Sequence, residues 1–169
     1  ENIFNGLDRL EELDLSNNQI TYLPQDVFNG LENLYLLRLD RNLIEALHPD
    51  AFNGLVNIID LKLGRNQITE LPPGVFNGLN GLLMLDLSVN RIVDLPENIF
   101  MDLEILEIIW IWGNPIERIH TTTKQFLKNL NEAGVNFGVD IDLPGRDVIE
   151  EKINIDDENL EVYDDYEDD

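Results

Sequence analysis

A phenylalanine recurs at a fixed spacing of 24 residues from the start of this chain. It occupies positions Phe4, Phe28, Phe52, Phe76 and Phe100, and the first four are each followed by Asn-Gly-Leu. A fixed period of this length is typical of repeat architectures, in which each short unit buries its apolar side chains only by stacking on its neighbours. The repeat therefore predicts a solenoid rather than a domain with one closed core.

A pattern of leucines and an asparagine accompanies each phenylalanine. It reads Leu-x-x-Leu-x-Leu-x-x-Asn, and its clearest copy contains Leu10, Leu13, Leu15 and Asn18. The alternation in Leu13-Asp14-Leu15 has the two-residue period of a strand that turns its leucines inward and the residues between them outward. Successive copies are expected to align these strands in a parallel sheet on the concave face of a curved solenoid.

The asparagine of the pattern recurs in every copy. Its positions are Asn18, Asn42, Asn66, Asn90 and Asn114. A buried turn after each strand would leave backbone groups without partners, and an asparagine side chain offers both a donor and an acceptor. We expect the asparagines to form a structural ladder and the phenylalanines to stack as a spine beneath the convex side. Neither set is expected to bind a ligand.

The full pattern, Leu-x-x-Leu-x-Leu-x-x-Asn-x-Ile-x-x-Leu-Pro-x-x-x-Phe-x-Gly-Leu, resembles the 24-residue "typical" class of leucine-rich repeats. This class is common in animal extracellular receptors, matrix proteoglycans and Toll-like ectodomains. The resemblance covers residues 1–120 and implies an α/β repeat fold, a right-handed solenoid with a parallel concave sheet. It also implies binding of other macromolecules on the concave face, without catalytic activity.

Residues 121–143 are predicted to cap the end of the solenoid, since the pattern stops after Asn114-Pro115. Thr121 to Thr123 supply a helix N-cap, and Gly134 can end the helix. The apolar residues on one side of this helix are Phe126, Leu127, Leu130 and Ala133. The alternation in residues 135–143 predicts one more strand over the last coil, because an open apolar end would aggregate.

Residues 144–169 are predicted to form an acidic, disordered tail, because like charges repel and aliphatic residues are few near its end. Tyr163 and Tyr166 stand among carboxylates, which resembles the context of tyrosine sulfation in secreted proteins. A sulfated tail would suit a basic protein surface. The alternatives are a tail that docks on the chain's own concave face and a tail that only keeps the protein soluble.

Few residues could carry catalysis or hold a metal. His48 and His120 are far apart in the sequence and are expected on the surface. The sequence has no dinucleotide-binding, P-loop or nucleophile-elbow motif and no calcium-binding loop. The net charge of −23 disfavours nucleic acid as a partner. We expect no enzyme activity, no cofactor, no metal site and, since no apolar run is long enough, no membrane segment.

The positions that the repeat leaves variable carry the functional information. On the outward side of the strands the first coil offers acidic residues, the second and third coils basic residues, and the fifth coil both tryptophans. The candidate ligand-binding residues on the concave face are Arg38, Arg41, Lys62, Arg65, Met84, Ile108, Trp110 and Trp112. Exposed aromatic residues near arginines are typical of binding hot spots. Alternatively, residues 135–143 cover the tryptophans, and the basic residues only pair with Asp40 and Asp60.

These observations predict a non-enzymatic module that recognises a protein or other macromolecular ligand, in an extracellular receptor or a secreted or matrix protein. The alternative is a structural or regulatory repeat domain of a larger, intracellular protein. Members of the extracellular class usually have disulfide-bonded caps, whereas this sequence has no cysteine. Because Glu1 lies in the second half of a repeat, we expect an N-terminal cap to precede it.

Overall fold

Parallel strands form the concave face of the molecule. The computed structural model describes residues 3–132 and 136–138. In chain order its elements are β1 (Glu12–Asp14), β2 (Tyr22–Leu23), β3 (Leu36–Arg38), β4 (Ala46–Leu47), β5 (Asp60–Lys62), β6 (Met84–Asp86), β7 (Asp94–Leu95), β8 (Ile108–Trp110), β9 (Arg118–Ile119), α1 (Thr121–Glu132) and β10 (Asn136–Gly138). The main sheet has the order β1-β3-β5-β6-β8-β10. We number the coils one to five by β1, β3, β5, β6 and β8.

Paired residues of neighbouring strands are 24 positions apart in the sequence, which is the length of the repeat. Leu13 pairs with Leu37, and Leu61 pairs with Leu85, both in parallel. Equivalent residues therefore form columns that run across the coils, and the inward leucines of coils two to four make one continuous buried core. Leu13 is only half-buried, because a described neighbouring coil covers it on one side alone. The predicted parallel-sheet solenoid is confirmed.

The asparagine ladder is also confirmed. The Asn66 side-chain amide donates to the C=O groups of Leu39 and Leu63, each at 3.0 Å, and its oxygen accepts the N–H of Ile44 at 3.1 Å. Asn42, Asn90 and Asn114 repeat this arrangement. Each of these side chains thus connects two coils and satisfies backbone groups in the turns after the strands.

Replacing Asn66 by alanine is expected to lower the free energy of unfolding by about 1–3 kcal/mol, because the buried N–H of Ile44 loses its acceptor. Asn18→Ala is the matched control, since within the described residues the Asn18 amide donates only to C=O groups of its own coil and is exposed. Denaturant unfolding followed by circular dichroism gives both values. If both variants lost the same free energy of unfolding, the hydrogen bonds of Asn66 between coils would not be what stabilises the fold.

The phenylalanine spine runs the full length of the repeats. Phe4, Phe28, Phe52, Phe76 and Phe100 stack with ring centroids 5.8 to 6.1 Å apart. Phe126 from α1 continues the stack at 6.1 Å, with its ring tilted by 37° to that of Phe100. The predicted spine is confirmed, and the helix at the end of the solenoid is packed onto it.

The threonines before the helix do not cap it as predicted. The helix begins at Thr121, so all three threonines lie in its first turn, and the N–H of Lys124 donates to the C=O of His120. Thr122 Oγ1 accepts the N–H of Asn98 at 3.1 Å, while the buried Thr123 hydroxyl donates to the C=O of Pro96. The N-cap prediction is wrong because these hydroxyls join the helix to the preceding coil.

One strand follows the helix and extends the sheet. Strand β10 pairs with β8 in parallel, which confirms the predicted additional strand for Asn136–Gly138. Residues 133–135 and 139–143 lie outside the described residues, as do the acidic tail and both of its tyrosines. The domain boundaries drawn at residues 120 and 143 stay predictions.

Candidate ligand-binding face

The outward residues of the concave sheet form columns of mixed chemistry. The central column consists of Asp14, Arg38, Lys62, Asp86 and Trp110. The column at the start of the strands consists of Glu12, Leu36, Asp60, Met84 and Ile108. Arg41 and Arg65 lie beyond the strand ends, where their N–H groups donate to the C=O groups of Gly64 and Ser88. The register thus brings the predicted basic residues together on coils two and three.

A shallow concavity with a volume of about 350 Å³ lies over the first four coils. The four predicted basic residues line it, together with the carboxylates of Asp14, Asp40 and Asp86. The four predicted apolar residues are not part of its lining. The structure therefore divides the predicted site into a basic group within the concavity and an apolar group beside it.

Arg38 and Lys62 engage carboxylates of their own face. The Arg38 guanidinium lies 3.7 Å from an Asp14 oxygen and 3.8 Å from Asp40 Oδ1, and Lys62 Nζ lies 3.7 Å from Asp60 Oδ2. These distances are those of ion pairs rather than of hydrogen bonds. Among the described residues no donor reaches the buried Oδ1 of Asp40 or of Asp60. The predicted pairing with Asp40 and Asp60 is confirmed for Arg38 and Lys62.

The two exposed arginines occupy a strained backbone position. Arg41 and Arg65 each have φ of 55°, in the left-handed region, which costs an ordinary residue roughly 1–2 kcal/mol. The equivalent positions of coils one and five are Asn17 at 53° and Gly113 at 69°, residue types that tolerate this region better. The turn imposes the conformation in every coil. Coil four has Val89 at 51° in the same position, so the turn accepts residue types that it does not favour and gives no reason of its own for arginine.

The aspartates of the Asp-Leu-Ser sequences in coils one and four have pKa values that are shifted in opposite directions. The N–H of Ser16 donates to Asp14 and that of Ser88 to Asp86, both at 2.8 Å. Hydrogen bonds from Ser16 lower the pKa of the exposed Asp14. Burial raises the pKa of Asp86, and the nearby carboxylate of Asp40 adds to this. The Asp86 carboxylate fills the space above Gly64, where a Cβ atom would clash with it.

We expect Asp86→Asn to raise the free energy of unfolding at pH 7 and Asp14→Asn to lower it. A carboxyl group whose pKa is raised by folding stabilises the fold below its unfolded value of about 4 and loses this contribution as pH rises through the folded value. The lowered pKa of Asp14 has the opposite sign, so the loss in its variant should fade below about pH 4. Urea unfolding between pH 3 and pH 8 measures both; the same sign in both variants at pH 7 would contradict the assignment.

The tryptophans of coil five lie beside the concavity. Trp112 is 39% exposed and Trp110 is half-buried. Strand β10 pairs Gly138 with Trp110 in the parallel register. Residues 135 and 139–143 lie outside the described part of the chain, so the alternative that residues 135–143 cover both tryptophans stays a prediction.

Sequence reasoning missed an apolar rim along the edge of this face. Tyr35 and Ile59, which are 36% and 39% exposed, and the half-buried Leu83 each come directly before a strand of the main sheet. The Tyr35 hydroxyl donates to the Glu12 carboxylate, so this ring lies against the concave column of strand starts. The signal was available in the sequence: the first variable position of Leu-x-x-Leu is apolar in three consecutive coils.

Each histidine of the chain lies near one carboxylate at the surface. His48 lies 3.7 Å from Asp50, and His120 lies 3.9 Å from Glu97, both at the surface. Within the described residues no group of three or more histidine or acidic side chains is placed to hold a metal ion. A search of the same residues for a helix long and apolar enough to cross a membrane found none.

A sequence model of the leucine rich repeat family matches residues 1–44, 32–92 and 59–116. The chain therefore belongs to the leucine-rich repeat family. Among solved structures, it is similar to the crystal structure of a TLR13–ssRNA13 complex, with a TM-score of 0.69 and 30% sequence identity. That similarity covers 75% of this chain and 18% of the other, so this chain spans less than a fifth of its length. No curated protein sequence matches the chain.

Proposed function

We propose that this chain is a non-enzymatic protein-recognition module that binds its partner on the concave face. One observation carries the proposal. The buried columns repeat the same residue type from coil to coil, whereas the central outward column is acidic in coil one, basic in coils two and three, acidic again in coil four and aromatic in coil five. The fold does not require this variation, because these side chains lie outside the core. A graded surface of this kind can select a partner by its charge and shape.

The chemistry of the face favours a partner with acidic groups. On coils two and three, four basic side chains stand against Asp40 and Asp60, so these two coils are locally positive between Asp14 of coil one and Asp86 of coil four, in a chain with a net charge of −23. Such a patch attracts carboxylates and repels other basic surfaces. Trp110 and Trp112 supply large, partly exposed aromatic groups of the type that anchors interfaces. Together these residues are the ligand-binding site that we propose.

The proposed setting is an extracellular receptor or a secreted or matrix protein, which rests on the resemblance of the repeats to that class. Sulfation of Tyr163 and Tyr166 belongs to this setting and stays a prediction, since both residues lie outside the described part of the chain. Intact-mass analysis of the protein secreted from animal cells tests it. A mass without sulfate groups would reduce the tail to a solubility segment or a docking segment.

The TLR13 structure contains single-stranded RNA, so RNA is the other partner class to test. RNA binding depends on basic residues that neutralise phosphates, and this chain has 11 lysines and arginines against 34 acidic residues. We therefore propose a protein partner. Fluorescence anisotropy with a mixed-sequence RNA oligonucleotide at physiological salt should show no binding; saturable binding that is lost in Arg41→Gln/Arg65→Gln would contradict the choice.

Peptides selected from a random displayed library against the intact chain serve as the probe for the site. Arg41→Gln/Arg65→Gln should weaken their binding by roughly tenfold, since two screened surface charges contribute about 0.5–1 kcal/mol each, and should flatten its salt dependence. Trp112→Ala should weaken binding without changing that salt dependence. The control Arg91→Gln/Lys124→Gln removes the same charge from exposed positions elsewhere. Equal effects in the two double variants would place the site off the concave face.

A further inference from the structure

The concave face has two halves of different chemistry. The apolar half lies along the strand starts and consists of Tyr35, Leu36, Ile59, Leu83, Met84 and Ile108. The basic half lies along the strand ends and consists of Arg38, Arg41, Lys62 and Arg65. Both halves run across the strands, parallel to the axis of the solenoid. An occupant that lies along this axis therefore touches apolar groups on one side and, on coils two and three, cations on the other, followed by Asp86 and Trp110 on coils four and five.

Asp60 is the one acidic member of the strand-start column in coils two to five. Its carboxylate lies 3.7 Å from Lys62, so its charge is directed toward the basic half. Burial raises the pKa of Asp60, and the nearby Lys62 opposes this shift. The apolar half is continuous on its outer side across coils two to four, where Tyr35 and Ile59 are its most exposed members, and this outer side ends at Glu107 of coil five.

The spacing of the coils selects the conformation of the occupant. Side chains of one column repeat at the strand separation of about 4.8 Å, and an α-helix repeats its faces at a pitch of about 5.4 Å. A helix along the solenoid axis thus offers about one turn to each coil. An extended segment returns to the same side only about every 6.6–7 Å, which is out of step with the coils. A helix of about 10–12 Å diameter is also wide enough to contact both halves.

We propose that the partner docks an amphipathic α-helix with an acidic flank across coils two to five. Its apolar stripe, at positions i, i+3 or i+4 and i+7, packs on the apolar half. Aspartates and glutamates on the neighbouring flank pair with the basic half. This inference rests on the proposed function and adds the conformation and the charge of the partner segment.

Two displayed peptide libraries of equal diversity test the proposed helical partner. One library is constrained as helices and the other is linear and proline-rich, and both are selected against the intact chain. The helical library should yield the tighter binders, with the apolar stripe and the acidic flank enriched. Ile59→Asp should weaken these binders at least tenfold, and Val56→Asp, at an exposed site outside both halves, should not. In a second pair of variants, Arg65→Glu should weaken the binders and its control Arg91→Glu should not. If Ile59→Asp fails to fold, Tyr35→Ala takes its place.

The outcomes separate the two levels of the proposal. Linear peptides that bind more tightly, yet are weakened by Arg65→Glu, overturn the helix and leave the concave face as the binding site. Binders that respond to neither Ile59→Asp nor Arg65→Glu overturn both. Enrichment of basic helices overturns the acidic flank. If a chain lacking residues 156–169 binds the peptides far more tightly and a peptide of that segment competes, the face belongs to the chain's own tail and the inference is wrong.

Discussion

Replacing Leu63 by aspartate is expected to unfold the domain. Leu63 is 0% exposed and lies in the continuous core directly after β5. An unpaired carboxylate there loses its hydration without gaining a partner, at a cost of several kcal/mol. Domains of this kind are stable by only about 5–15 kcal/mol. Because coils support one another through nearest-neighbour contacts, the loss in coil three also removes support from coils two and four.

Leu43→Asp is the matched control for this experiment. Leu43 is 41% exposed, so the same change of side chain leaves the new carboxylate in water. Thermal unfolding followed by circular dichroism should show a cooperative transition near that of the wild type for the control and none for Leu63→Asp. Leu87, equally buried in coil four, should behave as Leu63 does. A Leu63→Asp variant with the wild-type melting temperature would contradict the inward assignment of this column.

Replacing Phe52 by alanine has the second-largest expected effect. Its ring is buried between Phe28 and Phe76, with centroids 6.1 Å away on both sides. Removing it leaves a cavity in the middle of the spine and breaks the stack, which should lower the free energy of unfolding by about 3–5 kcal/mol. Denaturant titration measures this loss, provided that the slope shows a single transition.

Phe126→Ala removes the same ring at the end of the spine. Phe126 is half-buried and stacks on Phe100 alone among the described aromatic residues, with a tilted ring. We expect a loss well below that of Phe52→Ala, because the site is open and can be filled by water. If both variants lose the same stability, the spine contributes through each ring separately and not through the continuous stack.

The periodic features of the fold could be predicted from the sequence because one spacing determines them. The 24-residue repeat fixes the sheet register, and the register then places Asn66 between two coils and Phe52 between two rings. No long-range information is needed beyond the repeat itself. The same spacing correctly placed Arg38 and Lys62 side by side on the outward face.

Features that depend on contacts between non-equivalent residues could not be predicted in this way. Thr122 and Thr123 follow an N-cap pattern, yet their hydroxyls bond to Asn98 and Pro96 of the preceding coil, a pairing that no local rule contains. The opposite pKa shifts of Asp14 and Asp86 arise from depth in the stack, although their local sequences agree. The rim at Tyr35 differs from these features, because its apolar pattern is visible in the sequence but lies before the strand, outside the alternating strand positions that define the concave face.

Oxidative footprinting of the complex with the tightest selected peptide tests binding on the concave face most directly. The two methionines of the chain lie on different surfaces: Met84 on the concave sheet and Met101 in the turn after Phe100. Tyr35 and Tyr22 form a second pair. The account predicts that peptide binding reduces oxidation of Met84, Tyr35 and Trp112 severalfold and leaves Met101 and Tyr22 unchanged. Protection of Met101 and Tyr22 with Met84 and Trp112 unprotected would contradict it.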